Sequence, residues 1–115
     1  MPTDPDAVYL GHMDSAVARI AEFVGRVQRD EFDRDWTLQN ALIRELEILG
    51  EAAGKLSADF VKANPEVPWK EITGLRHKLI HDYFEVDLEI VWRTATVNVP
   101  EIAAFVRTAR GEKDP

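Results

Sequence analysis

Apolar residues recur at helical spacing along almost the whole chain, and this pattern predicts an all-α protein. The first helix is expected from about Ala7 to Gln28, with Asp4 and Pro5 as its start signals. The charged stretch Arg29–Asp35 either continues this helix or forms a loop. No segment alternates apolar and polar residues convincingly enough to predict a strand, and no internal repeat is present.

The second helix is expected to start near Thr37, as its N-cap, and to run to about Leu56. Gly50 and Gly54 are four residues apart on it, which favours close packing of another helix over a ligand site. The segment Ser57–Pro68, with its two prolines, is expected to be a loop or a short helical turn.

A third helix is predicted from about Trp69 to His81, and a fourth from Leu88 to about Arg110 with Asp87 as its cap. Pro100 lies inside the fourth helix, so a kink is expected there, or a break at which Asn98 caps a new segment. Four or five helices joined by short loops predict an up-and-down bundle.

The bulk composition limits the class of protein. The chain has 115 residues, of which 45% are apolar, and this fits one helical domain over residues 1–110 with a polar C-terminal tail at 111–115. Cysteine is absent, no stretch is apolar enough to span a membrane, and the N-terminus lacks a signal-peptide pattern, so a cytoplasmic protein is expected. The net charge of −7 argues against a broad nucleic-acid-coating surface but allows one local cationic site or a basic partner.

The segment from Arg76 to Phe84 holds the most informative side chains. Within about two helical turns it places Arg76, His77, His81 and Tyr83. Arginine binds phosphate as a planar fork that is always charged, and histidine exchanges protons near neutral pH. A phosphate-binding group beside a proton-transfer group is what phosphodiester chemistry requires.

On an ideal helix, Arg76 points into the middle of the apolar arc, where an unpaired guanidinium would be costly. It therefore needs a ligand or a carboxylate, and Glu45, Glu47 and Glu51 are the candidate structural partners. A purely structural helical dimer would use one of these pairs and leave no open cleft.

The histidines at positions 77 and 81 share a helical face and raise the question of a zinc site. Two histidines supply only two ligands, and nothing places His12 beside them, so no metal site is predicted. Arg76 and His81 lie about 140° apart on an ideal helix and could not grip one phosphate together. Either the helix ends or bends before His81, or two chains face each other across a two-fold axis and pool their residues, which predicts a homodimer.

The spacing of Arg76, His81 and Tyr83 resembles the R-x4-H-x-Y motif of HepT-like toxins in the HEPN superfamily. His77 fits the polar position that follows the arginine in that motif. Three flanking blocks also resemble the family in order, and together they cover roughly residues 38–106: Leu46–Ala53, Val67–Ile72 and Val86–Trp92.

This resemblance implies a HEPN-like bundle that forms a homodimer and acts as a metal-independent endoribonuclease toxin without a cofactor. In the implied site, His81 is the general acid/base, Arg76 binds the phosphate, and His77 and Glu51 support them. RNA such as tRNA or mRNA is the implied substrate. DNA would be inert because it lacks the attacking 2′-hydroxyl.

The resemblance also implies a type VII-like pair with an MntA-like nucleotidyltransferase antitoxin, which adds AMP to Tyr83. The added negative charge would compete with RNA for the phosphate site. The alternative is a non-catalytic helical subunit of a nucleotidyltransferase complex that binds a nucleotide or a partner through Arg76 and Tyr83.

Overall fold

Helices make up nearly all of the described chain, which comprises residues 4–82 and 85–111 of a computed structural model; for residues 76, 80–82 and 85 only the backbone is described. A π-helical turn, Thr94–Asn98, joins the last two α-helices, and a minimal hairpin of β1 (Ile80–Asp82) and β2 (Glu85–Val86) precedes them. The prediction of an all-α fold is confirmed, with this hairpin as an unpredicted addition. In chain order, the α-helices are α1 (Pro5–Arg26), α2 (Arg29–Arg34), α3 (Trp36–Gly54), α4 (Ala58–Ala63), α5 (Trp69–Thr73), α6 (Leu75–Leu79), α7 (Leu88–Arg93) and α8 (Val99–Ala109).

Short polar side chains cap the starts of several helices, because they accept hydrogen bonds from the backbone N–H groups that have no partner within the helix. Asp4 caps α1 as predicted, and Asp87 caps α7 as predicted. The predicted N-cap of the second helix was wrong by two residues, because Asp35 occupies that position and accepts the N–H of Thr37 at 2.9 Å. Ser57 caps α4, so the segment expected as a loop or turn contains a short helix.

The core lies where α1 packs along α3 and α8. Burial of each large apolar side chain there stabilises the fold by roughly 1.5–3 kcal/mol. None of the helices in the described ranges has the length and apolar character needed to cross a bilayer. Fully buried large apolar side chains of the core come from α1, α2, α3, α5, α6, α7 and α8: Met13, Ile20, Phe32, Leu42, Leu46, Leu49, Ile72, Leu79, Val91, Val99 and Val106.

Polar contacts connect several elements that are distant in sequence. The backbone N–H and the hydroxyl of Ser57 both donate to the Asp6 carboxylate, at 2.8 and 2.7 Å, which ties the start of α4 to α1. Arg29 of α2 pairs with Asp33 and with Glu89 of α7. Hydrogen bonds to these two carboxylates raise the pKa of Arg29 above its ordinary value.

The predicted fourth helix is one uninterrupted helical stretch from Leu88 to Ala109, but its hydrogen-bond pattern changes before Pro100. The N–H of Val99 bonds to the carbonyl of Thr94, five residues back, which widens the turn. Asn98 has helical backbone angles and makes no side-chain cap, so the predicted break with an Asn98 cap is wrong. Proline lacks an N–H, and the wide turn places it at the start of α8, where that N–H is dispensable.

Candidate active site

The helix that carries Arg76 is short, because Gly74 separates it from α5 and it ends at Leu79. The predicted third helix, which extended to His81, is therefore two residues too long. Leu75 and Leu79 lie one turn apart on α6, and both are buried against the core. This burial fixes the rotation of α6 about its own axis against the core.

Gly50 allows α5 and the start of α6 to approach α3 closely. A Cβ atom at Gly50 would lie 2.8 Å from the carbonyl oxygen of Ile72 and 3.7 Å from the Cβ of Leu75. At Gly54 the corresponding nearest atom, on Thr73, is at an ordinary 3.9 Å. The expected tight helix packing is confirmed at Gly50, and it sets the position of the motif helix against α3.

A bulge-like irregularity in the hairpin occurs at His81. Ile80 pairs with Val86 and Asp82 pairs with Glu85. The two pairs are separated by two residues on β1 but by one residue on β2. His81 lies in the interval and has no partner residue in this register. Bulges of this kind redirect a side chain relative to a regular strand, and they are enriched next to active sites.

This backbone changes the geometric relation between Arg76 and His81. Arg76 is on a helix and His81 is on a strand, so angles from one ideal helix do not apply to the pair. Of the two solutions considered from the sequence, the helix does end before His81. The angle between Arg76 and His81 therefore no longer requires a second chain to complete the site. The prediction of a homodimer depends on the family resemblance.

The remaining motif positions are described in part. His77 and Lys78 are exposed on α6, so the solvent side of this helix is polar and cationic. The predicted burial of the Arg76 guanidinium and the orientation of the His81 imidazole concern side chains outside the described residues. Tyr83, the predicted modification site, lies outside them altogether.

Three glutamates of α3 were candidate partners for Arg76, and their surroundings differ. Glu45 accepts a hydrogen bond from Nε of Arg19 on α1 at 2.7 Å, so its carboxylate already holds one cation. Glu47 and Glu51 border an open groove of about 500 Å³ that also involves Thr73 of α5. Glu51 is exposed, and no pairing of it is found among the described residues. The groove places Glu51 beside the short helix that precedes α6.

The histidine arrangement considered for zinc does not form as a helical face. His77 is on α6, but His81 is beyond the helix end, so the two are not one turn apart on a continuous helix. His12 is exposed on α1, where its ring packs edge-on against Tyr9 with centroids 5.8 Å apart. Among the described residues, no group of three or more His, Asp or Glu side chains is arranged to hold a metal ion.

Two structural features of this region were not predicted from the sequence. The hairpin has a weak local signal, because the β-branched and aromatic residues Tyr83, Phe84 and Val86 favour strands but occupy too short a run. The π-turn has its signal in Pro100, which predicted a disturbance but not its form.

Comparison with known proteins gives a consistent family assignment. The family model described as Ribonuclease HepT-like matches residues 13–109, which include the whole motif segment. A "Probable ribonuclease HepT" of Thermococcus cleftensis is 39% identical over 94 residues, covering 82% of this chain and 86% of that protein. A Methanocaldococcus jannaschii protein with the name "Putative RNase" is 36% identical over 118 residues, covering 99% of this chain and 98% of that protein.

No solved structure matches the chain significantly. The family model and the relatives confirm the resemblance that the motif and its three flanking blocks indicated. Because the model match covers most of the chain and the relatives are aligned over most of their length, the chain belongs to the HepT-like ribonuclease family.

Proposed function

We propose that this protein is an endoribonuclease toxin in which Arg76 and His81 carry out the reaction. One observation supports this most directly: the family match spans a segment in which Arg76 and His81 keep the motif spacing. The backbone is compatible with this role, because α6 ends between the two residues and a bulge occurs at His81.

The reaction needs a base, an acid and a cation, and no metal. His81 takes the proton from an RNA 2′-hydroxyl, whose oxygen then attacks the adjacent phosphorus. The bond from phosphorus to the 5′-oxygen breaks, and this oxygen leaves with a proton from the protonated acid/base group. The products are a 2′,3′-cyclic phosphate and a 5′-hydroxyl end. Arg76 stabilises the charge that develops on the phosphoryl oxygens, and the exposed His77 adds a donor beside it.

The substrate is proposed to be a structured RNA bound through a small contact area, such as tRNA or a site within mRNA. The net charge of −7 gives little general attraction for a polyanion. Affinity is therefore expected to come from a few positions of α6, the cationic Arg76 and Lys78 with the polar His77 between them, rather than from a broad basic surface.

The proposed assembly has two parts. The first is a homodimer, which the family resemblance favours and which would place two motif segments in one cleft. The second is a pairing with an MntA-like nucleotidyltransferase antitoxin that adds AMP to Tyr83. Tyr83 follows His81 by two residues, so a new phosphate there would compete for Arg76 and repel RNA.

Substitution of His81 by alanine tests the catalytic proposal. His81→Ala is expected to abolish growth inhibition and RNA cleavage while thermal stability and helical content stay unchanged. His12→Ala is the matched control, because His12 is exposed on α1, where its ring makes a T-shaped contact with Tyr9. It should cleave RNA at the wild-type rate.

The assay should include excess EDTA and a substrate with a 2′-deoxyribose at the cleavage position. We expect full activity with EDTA and no cleavage of the deoxy-substituted substrate. Toxicity of His81→Ala equal to wild type would disprove the catalytic assignment. Intact RNA together with tight binding of ATP or AMP would instead indicate the non-catalytic nucleotide-binding subunit.

A further inference from the structure

A cavity of about 390 Å³ lies beside α6, whose residues Leu75 and Lys78 line it. The loop before α5, together with α5 and α6, forms one wall, and the π-turn and α8 form the other. Its volume falls in the range of small-molecule sites. We call it the α6–α8 cavity, and its inner surface is formed by Val67, Ile72, Leu75, Thr94, Ile102 and Phe105.

The π-turn contributes two polar side chains to the lining of this cavity, the buried Thr94 and the exposed Asn98. Thr94 is only 2% exposed and is the one buried polar side chain found in the described part of the chain. Its hydroxyl has no hydrogen-bond partner among the described residues, and Thr94 borders the cavity. No fully buried side-chain nitrogen or oxygen of the described residues lacks a hydrogen-bond partner, so the Thr94 hydroxyl keeps some accessible surface where it borders the cavity. A ligand in the cavity can therefore accept or donate one hydrogen bond there. π-turns within helices are frequent at functional sites.

The mouth of the cavity carries an excess of negative charge. Among the side chains that the structure describes, Glu66, Glu71 and Glu101 line it, against one ammonium group, that of Lys78. All four side chains are exposed, and none of them takes part in an ion pair with any described residue. The carboxylates come from three different elements, so they surround the opening rather than occupying one helix face. An opening of this kind attracts a cation.

We propose that the α6–α8 cavity binds a small aliphatic ammonium compound of the polyamine class. The methylene groups would pack on Ile72, Leu75 and Ile102, and the ammonium groups would pair with Glu71 and Glu101 at the mouth. An N–H of the bound amine would donate to the Thr94 hydroxyl. Burial of the methylene groups supplies hydrophobic affinity, and pairing of the ammonium groups with carboxylates supplies selectivity for cations.

This proposal does not depend on the ribonuclease activity. The residues of α6 that line the cavity are Leu75 and Lys78. The motif arginine lies between them in sequence and is not part of the proposed binding site. A bound ligand would join α6 to α8 and should therefore raise the melting temperature of the whole domain. If the protein does not cleave RNA, the test of ligand binding keeps its meaning. If no ligand binds, the test of RNA cleavage is likewise unaffected.

Spermidine titrated into the intact protein at physiological salt is the direct test. Calorimetry should give saturable binding with a dissociation constant below about 1 mM. Methyl NMR should show the largest shifts at Val67, Ile72, Leu75 and Ile102. The double variant Glu71→Gln/Glu101→Gln should bind at least tenfold more weakly, and Thr94→Val, which keeps the side-chain shape, should also bind more weakly.

Glu22→Gln is the matched control, because it removes an exposed carboxylate from α1 that pairs only with the neighbouring Arg26 among the described residues. It should bind spermidine like the wild type. A neutral chain of similar length, 1,6-hexanediol, should not bind detectably. The proposal is overturned by equal affinity of the double variant and the Glu22 control, by shifts that map to other methyl groups, or by the absence of saturation.

Discussion

Gly50 of α3 lies directly against the backbone carbonyl of Ile72, in the segment that leads into the motif helix. A Cβ atom at Gly50 would lie 2.8 Å from the carbonyl oxygen of Ile72, closer than side-chain carbons approach backbone oxygens. The missing side chain thus sets the distance between α3 and α5. Because α6 follows α5 after one residue, the same contact positions the motif.

Gly50→Ala is expected to destabilise the protein by about 1–3 kcal/mol, because α5 must move away from α3 to accept the methyl group. Urea denaturation measures the change in the free energy of unfolding. Gly11→Ala is the control, since a Cβ at Gly11 meets no atom within 4 Å and alanine is the better helix former. It should stabilise by about 0.5–1 kcal/mol. A loss of stability in both variants would show that close packing is not the cause at Gly50.

Asp87 caps α7 immediately after the hairpin, with its carboxylate accepting the N–H of Ile90 at 3.1 Å. Asp87→Ala should lower the free energy of unfolding by about 0.5–2 kcal/mol, because that N–H loses its partner. Asp87→Asn should keep most of the stability, because asparagine caps equally well. Thermal denaturation of the two variants at the same pH measures this difference. A large loss in the asparagine variant would indicate a role for the charge rather than for the cap.

A mixture of two inactive variants tests whether the proposed homodimer shares its sites between chains. Arg76→Ala and His81→Ala chains, unfolded and refolded together, form mixed dimers that can place an intact Arg76 opposite an intact His81. If each site uses residues of both chains, about a quarter of wild-type cleavage should return. Light scattering checks that the mixture is dimeric. A dimer without recovered cleavage would show that each chain completes its own site, which the end of α6 before His81 permits.

Tyr83→Phe tests the proposed modification by a nucleotidyltransferase antitoxin. Co-expression with an MntA-like enzyme should add AMP to the wild type and not to this variant, because phenylalanine lacks the acceptor hydroxyl. Intact mass measures the addition, and growth measures whether toxicity is neutralised. The chain has only one other tyrosine, so Tyr9→Phe is the natural control and should be modified like the wild type. AMP found on Tyr83→Phe would place the acceptor elsewhere.

Much of the fold could be predicted because its signals are local. Apolar periodicity locates the long helices, and the short polar residues Asp4 and Asp87 mark starts that the structure confirms. The misplaced cap at Thr37 shows the limit of this reasoning. Asp35 and Thr37 lie two residues apart and are both residue types that cap helices, and only the backbone conformation shows which one accepts the N–H groups.

The sequence by itself determined the all-α class, the position of Gly50 and the order of Arg76 and His81, because each depends on residues near one another in the chain. The tertiary structure decided where the motif helix ends, that a bulge occurs at His81, and that a cavity opens between α6 and α8. These features depend on packing between segments far apart in sequence. The helix propensities of neighbouring residues differ too little to decide where the motif helix lies. The burial of Leu75 and Leu79 against the core stabilises its observed position.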